Sequence, residues 1–189
     1  MKTIRFHLLA LVIFFSLSFV DEDPGCRRWS GLWKPAWEDF KGRPPADKNY
    51  DAYTFYQVSF SYKIENGTLR VEIKTCFDFD DSWVKEGKAT PQLLLHEQKH
   101  FDISEIQARK LRQHALRWNG QDDFGKYLNK GNDSIAEICN LMQDTYDYET
   151  ENSKNAAAQA QWNKKTDSLL RVYKKFESPF LKLSYKAAK

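Results

Sequence analysis

Two histidines and a glutamate within five residues are the side chains best suited to chemistry in this chain. They form the segment His96-Glu97-Gln98-Lys99-His100. On an α-helix, residues four apart differ by about 400° of rotation, so His96 and His100 lie on one face, one turn from each other. Two imidazoles placed in this way can take adjacent corners of a zinc tetrahedron. The spacing therefore predicts a metal site on a helix, with Zn²⁺ as the ion.

Glu97 follows the first histidine directly, and this position suits a general base. It is rotated by about 100° from His96, so its carboxylate can reach a water bound to the metal. Zinc lowers the pKa of such a water towards about 7. A carboxylate beside it can accept the proton and return it to the leaving amine. Glu97 is thus the predicted catalytic group of peptide hydrolysis; in the alternative interpretation, the histidines are polar residues at a helix–core boundary.

The third metal ligand is not contained in this segment. A catalytic zinc uses three protein ligands and keeps one open position. His114 lies fourteen residues beyond His100 on the same predicted helix, about 21 Å away, which is too far. Asp102 and Glu105 are predicted to point away from the histidine face and to lie on the outer face of the helix, with Glu105 paired to Arg109 one turn on. The acidic stretch 146–151 is the richest remaining source of a ligand.

The clearest strand signal is a pair of alternating segments. Residues 56–65 and 69–77 alternate apolar and polar side chains, and Asn66-Gly67 lies between them. Asn-Gly is the strongest short signal for a two-residue hairpin turn. We therefore expect an antiparallel hairpin with one apolar face, whose exposed edge can hold a peptide substrate as an added strand.

Helical signals follow the hairpin. Thr90-Pro91 is a typical helix start, and the first helix is predicted over 91–118. Residues 121–131 are predicted to be a connection. A capping box at Ser134 to Glu137 predicts a helix over about 134–147, and the last helix is expected over 156–176. A strand block followed by helices predicts an α+β fold, an antiparallel hairpin or sheet with the HExxH helix in the helical part that follows.

The N-terminal residues are typical of a targeting segment. Lys2 and Arg5 precede an apolar run that extends over residues 8–20. The run is short for a membrane span, which needs about 20 apolar residues. We expect residues 1–18 to be a cleaved signal peptide and residues 19–189 to form one domain, secreted or periplasmic. If the segment is not cleaved, the chain is instead a membrane-anchored interaction module.

The net charge and the cysteine content limit the kinds of partner and the cellular compartments that suit this chain. The formal net charge is +3 and falls by two when Lys2 and Arg5 are removed with the signal peptide. A nearly neutral chain does not indicate a nucleic-acid partner. Cys26, Cys76 and Cys139 allow one disulfide and one free thiol in an oxidising compartment, and the sequence does not determine which two are paired.

The run from Leu94 to Glu105, followed by Ala108-Arg109, resembles the HEQxHFDI-type motif of a bacterial family of predicted secreted zinc-dependent proteases, a domain of unknown function. Further matching segments lie upstream, at Trp37–Gly42 and Ser82–Val84. The downstream matches are Tyr146-Asp147, Thr150, Gln159 and Trp162. The resemblance covers most of residues 19–189 and implies a zincin-like metallopeptidase domain that acts on peptide or protein substrates.

One position departs from that family pattern. The family has a histidine, a natural third ligand, where this chain has Asn152. Either Asp147, Glu149 or Glu151 completes the site, or metal binding is weakened. Asp147 matches the family's residue and is the first candidate. The leading hypothesis is an exported zinc metallopeptidase. The alternative is a non-catalytic, degenerate envelope protein of the same fold, with or without a bound metal.

Overall fold

The computed structural model describes residues 25–185, and the predicted signal peptide lies outside this range. Three helices follow most of the strands: α1 (Pro91–Ala115), α2 (Phe124–Thr150) and α3 (Ala156–Val172). The strands are β1 (Cys26–Arg28), β2 (Ala52–Tyr53), β3 (Tyr56–Glu65), β4 (Thr68–Asp78), β5 (Trp83–Val84) and β6 (Phe180–Ser184), and two 3₁₀ turns cover Trp37–Asp39 and Lys174–Phe176. This combination of antiparallel strands and helices confirms the predicted α+β class.

The main sheet is built around β4. β3 pairs with β4 on one side, and β1 and β6 pair with it on the other, all antiparallel. The predicted hairpin is confirmed, with Asn66 and Gly67 at φ 49° and 70° in the turn. A tight hairpin turn of this kind needs positive φ at both positions, which explains the Asn-Gly pair. Within the described residues, β3 keeps one unpaired edge.

The apolar face of the sheet packs on the C-terminal half of α1. Alternate residues of β4 are fully or almost fully buried, and α1 contributes small and branched side chains at helical spacing. This core includes Leu69, Val71, Ile73, Ala108, Leu111, Ala115, Phe124 and Leu128. Burial of this apolar surface holds α1 and the start of α2 against the sheet.

An aromatic core supports the middle of α1. Phe101, on the helix between the histidine segment and the sheet contacts, has its ring 5.7 Å from that of Phe77 and 6.1 Å from that of Trp33. The tryptophans of the irregular segment before the sheet therefore pack against this core. A disulfide between Cys26 and Cys76 joins β1 to β4, so the pairing that the sequence left open is settled.

The start of α1 agrees with the prediction, but the start of α2 does not. Thr90 Oγ1 accepts a hydrogen bond from the Leu93 amide at 3.2 Å, which caps α1. The predicted connection over 121–131 is wrong, because α2 begins at Phe124 with Asp123 as its cap and continues through the supposed capping box at Ser134.

Tertiary packing explains this error. The glycines inside this predicted connection, Gly125 and Gly131, are places where side chains of other elements approach α2 closely. A Cβ atom at Gly131 would lie 2.2 Å from the ring of His114, and one at Gly125 would lie 2.4 Å from the Tyr62 hydroxyl. These glycines thus leave room for a side chain of β3 at Gly125 and of α1 at Gly131, rather than forming a turn.

The C-terminal region also differs from the prediction. α3 ends at Val172 rather than at Phe176, and a 3₁₀ turn and then β6 follow. Strand β6 had no prediction, and its residues Leu181 and Leu183 pack against the core formed by α1 and β4. Among residues 25–185, no helix has both the length and the apolar composition that crossing a bilayer requires.

The acidic residues of α1 lie away from the histidine face, as expected, but not on an outer surface. Asp102 and Glu105 are only 1% and 2% exposed. Glu105 contacts Arg109 as predicted and also Arg112, both at 2.8 Å. Asp102 contacts Lys99 and the Trp29 indole nitrogen. The prediction of an outer face is wrong because the N-terminal segment and the chain after α3 cover this side of α1.

Candidate metal centre

Two helices bring three ligand atoms together. His96 and His100 lie on α1, and Asp147 lies near the end of α2. Asp147 Oδ1 is 3.0 Å from His96 Nε2 and 2.9 Å from His100 Nε2, and the two Nε2 atoms are 3.1 Å apart. The three atoms form an almost equilateral triangle.

The size and chemistry of this triangle suit a metal ion. Neighbouring ligand atoms of a tetrahedral zinc lie about 3.3 Å apart when each bond is about 2.0–2.1 Å long. Two imidazole nitrogens and one carboxylate oxygen are a ligand set that metalloenzymes use with one position left open. The group of His96, His100 and Asp147 can therefore hold a metal ion, and it is the only such cluster found between residues 25 and 185.

The packing of Tyr146 places the neighbouring Asp147. The Tyr146 ring is fully buried and stacks on the His96 ring, with centroids 4.5 Å apart and planes at 18°. Its hydroxyl donates to the His96 carbonyl oxygen at 3.2 Å. Burial is the main reason that the Tyr146 pKa is strongly raised, so this hydroxyl stays protonated and keeps donating. With Tyr146 fixed against α1, Asp147 points to the histidine nitrogens.

The electrostatics of the triangle favour a cation between its members. Burial is the largest influence on the His100 pKa and lowers it, but the hydrogen bond to Asp147 and the charge of Glu97 raise it more, to about 9. Burial raises the pKa of Asp147, but hydrogen bonds from His100 and His96 outweigh it and hold that pKa far below its ordinary value. A proton and a metal ion therefore compete for the same atoms.

Glu97 lies beside this triangle and is held by a threonine. Its side chain is almost completely buried, at 3% exposure. Thr54, directly after β2, donates its hydroxyl to Glu97 Oε2 at 2.8 Å. Glu97 lines the same cavity as His96 and His100 but is not one of the three converging groups. Its carboxylate is thus positioned at the site without being part of the ligand set.

The cavity above the site is open and about 580 Å³ in volume. Residues 49–54 around β2 line it, together with Tyr56 at the start of β3. The side chains of α2 and of the turn after it complete the lining, including Gln143, Asp144, Asn152 and Lys154. A cavity of this size and exposure can admit a segment of a peptide chain.

The structure separates the other candidate ligands from the site. Glu149 Oε2 accepts a hydrogen bond from the Trp162 indole at 2.6 Å. Glu151 ends α2 in the left-handed region at φ 51°. His114 stacks on Tyr127 with ring centroids 4.2 Å apart. Of the carboxylates that the sequence left open, Asp147 alone joins the two histidines among the described residues.

Three contact residues were given no role by sequence reasoning. Thr54 holds Glu97, and two glutamines reach the far side of the imidazoles. Gln143 Oε1 lies 2.6 Å from His100 Nδ1, and Gln159 Oε1 lies 3.2 Å from His96 Nδ1. Gln143 is one turn before Asp147 on the same face of α2, so helical spacing could have indicated it. Thr54 carried no local signal.

Replacing Asp147 is expected to weaken metal binding much more than replacing Asn152. Asp147→Ala removes a charged oxygen from the triangle, and we expect zinc affinity to fall by more than about 100-fold, since loss of an outer partner alone costs about 10–100-fold. Asn152→Ala removes a neutral amide that lines the cavity and should change the affinity little. Calorimetric zinc titration of both variants measures the difference.

The opposite result would remove Asp147 from the site. If Asp147→Ala binds zinc normally and Asn152→His binds it much more tightly than the natural chain, the chain lacks a third ligand. The non-catalytic interpretation would then be favoured.

Comparison of the chain with protein-family models, with curated proteins and with solved structures gives no match in any of the three.

Proposed function

We propose that this protein is an exported zinc-dependent metallopeptidase that hydrolyses peptide bonds. The observation that carries the proposal is the meeting of two kinds of group in one open cavity. His96, His100 and Asp147 converge on one point, and the buried carboxylate of Glu97 lines the same space. A purely structural metal site needs the first group but not the second.

The three converging residues are the proposed zinc ligands. Two imidazoles and a carboxylate match the donors of catalytic zinc sites, in which the fourth position stays open. When bound, zinc polarises the scissile carbonyl and makes a water molecule nucleophilic near neutral pH. Among the three ligands, only Asp147 carries a negative charge. Zinc together with these ligands therefore keeps a net positive charge, which can polarise the carbonyl.

Glu97 is the proposed general base and acid. Thr54 restrains one of its two oxygens, and within the described residues the other accepts no hydrogen bond. The carboxylate can therefore take a proton from the attacking water and pass it to the amine that leaves when the peptide bond breaks.

Export from the cytoplasm is part of the proposal. The disulfide between Cys26 and Cys76 supports it, because disulfides persist in secreted and periplasmic proteins and are rare in the cytosol. The apolar run after Lys2 and Arg5 is the second support. Membership of the family of secreted zinc-dependent proteases that the sequence resembles, with its zincin-like fold, remains part of the same proposal.

The alternative is a non-catalytic envelope protein that binds a metal through the same residues. Asn152 favours it, because the resembled family has a histidine at that position. The proximity of Asp147 to both histidines weakens this argument, since a third ligand is supplied from one turn earlier. Both hypotheses allow a bound metal, and only the first predicts cleavage.

A peptidase assay with metal removal distinguishes the two. The purified mature protein is expected to cleave members of a fluorogenic peptide library and an unfolded protein. A chelator should stop the cleavage, and added Zn²⁺ should restore it. Cleavage that resists the chelator would contradict the zinc mechanism, and tight zinc binding with no cleavage of any peptide would favour the non-catalytic protein.

A further inference from the structure

We propose that Gln143 and Gln159 are positioning residues that fix both metal-binding imidazoles in one tautomer, with the proton on Nδ1 and the lone pair of Nε2 directed to the metal. The inference rests on the proposed zinc site and adds two residues to it. Each glutamine comes from a different helix, Gln143 from α2 and Gln159 from α3. Each is almost completely buried, at 8% and 3% exposure.

The contacts of Gln143 determine which of its amide atoms faces His100. The side-chain nitrogen lies 3.0 Å from the main-chain carbonyl oxygen of His100. A carbonyl oxygen can only accept, so the amide atom facing it must be the nitrogen. The oxygen of the same amide is then the atom 2.6 Å from His100 Nδ1. Because an amide oxygen only accepts, His100 Nδ1 must carry the proton.

The same reasoning applies to Gln159 through one more hydrogen bond. The Tyr146 hydroxyl gives its proton to the His96 carbonyl, so its oxygen accepts from Gln159 Nε2 at 2.7 Å. Gln159 Oε1 therefore faces His96 Nδ1 at 3.2 Å and accepts the proton of that nitrogen. A neutral imidazole with hydrogen on Nδ1 leaves Nε2 as the acceptor, which is the form a metal requires.

These hydrogen bonds prepare the site before any metal arrives. They fix the rotation of each ring and keep a proton on Nδ1, so metal binding has to displace only the proton that Nε2 shares with Asp147. Outer partners of metal-bound histidines typically raise metal affinity by about 10–100-fold. Both partners here are neutral amides, so they raise the electron density of the imidazole ring less than a carboxylate would. We expect the acceptor oxygen, rather than the amide group as such, to be the required feature.

Variants that keep side-chain length but lose the acceptor oxygen test this directly. Gln143→Met and Gln159→Met are each expected to weaken zinc binding by about 10–100-fold in a competition titration with a chelating dye. Gln159→Glu keeps the acceptor oxygen and is expected to bind zinc at least as tightly as the natural chain. The matched control is Gln107→Met, because Gln107 is a buried glutamine of α1 whose side chain makes no hydrogen bond with the described residues.

A spectroscopic readout separates positioning from general stability. In long-range ¹H–¹⁵N spectra of the zinc-loaded protein, His96 and His100 are expected to show protonated Nδ1 and metal-bound Nε2. The unfolding temperature of each metal-free variant is measured alongside. Gln159→Glu should recover the zinc affinity that Gln159→Met loses, whatever the two unfolding temperatures are.

The outcomes distinguish this inference from the zinc site itself. If the natural chain binds zinc and both methionine variants bind it equally well, the positioning role is overturned while the zinc site stands. Zinc bound through Nδ1 of either histidine would also overturn it. If the natural chain binds no zinc at all, both the proposed function and this inference fail.

Discussion

The Glu97→Gln protein is expected to retain its zinc and to lose peptidase turnover by a factor of about 10²–10⁴. The amide has nearly the same shape as the carboxylate, and Thr54 can still donate to its oxygen, so the fold and the ligand triangle should persist. An amide cannot accept the proton of the attacking water. The measurement is kcat on a fluorogenic peptide, together with the zinc content of the same preparation.

A matched substitution shows whether the loss belongs to the site. Glu137→Gln makes the same chemical change at an exposed position of α2 and should leave turnover unchanged. Thr54→Val removes the hydrogen bond to Glu97 Oε2 and should reduce turnover less than Glu97→Gln does. Full activity of the Glu97→Gln protein would reject Glu97 as the general base.

Loss of either histidine is expected to abolish stoichiometric zinc binding and, with it, peptidase activity. His96→Ala or His100→Ala leaves one imidazole and Asp147, whereas a catalytic zinc needs about three protein ligands. The zinc content should fall from about one ion per chain to nearly none by elemental analysis. Activity should not return when Zn²⁺ is added at the concentration that restores the chelated natural protein.

His114→Ala is the control for these two variants. His114 is also on α1, but its ring stacks on Tyr127 and lies close to Gly131 of α2. Its replacement should lower the unfolding temperature without changing the zinc content. Equal loss of zinc from all three histidine variants would contradict the triangle formed by His96, His100 and Asp147.

Elements that depend only on residues adjacent in the sequence could be predicted from the sequence. The hairpin of β3 and β4 follows from alternation and from Asn66-Gly67, and the start of α1 follows from the cap at Thr90. The start of α2 was not predictable in this way, because Gly131 lies where two helices touch. Strand β6 was missed as well, since its short segment becomes a strand only by pairing with β4.

The same distinction applies to the candidate site: some of its residues follow from the sequence and others from tertiary packing. His96, Glu97 and His100 were chosen from their spacing alone, because the turn of a helix places them whatever the rest of the chain does. The sequence also supplied Asp147 as the first of three candidate carboxylates, on the basis of the family resemblance. The structure distinguishes it from Glu149, which contacts Trp162, and from Glu151, which ends the helix.

The sequence by itself determined that the imidazoles of His96 and His100 and the carboxylate of Glu97 lie on one helical face. The helical repeat sets that arrangement within five residues. Only the tertiary structure decided what meets them. The contacts from Asp147, Gln143 and Gln159 span 51, 43 and 63 residues of chain. They exist because buried aromatic and apolar side chains, above all Tyr146 against His96, hold α2 and α3 on α1, and packing of this kind leaves no periodic pattern in the sequence.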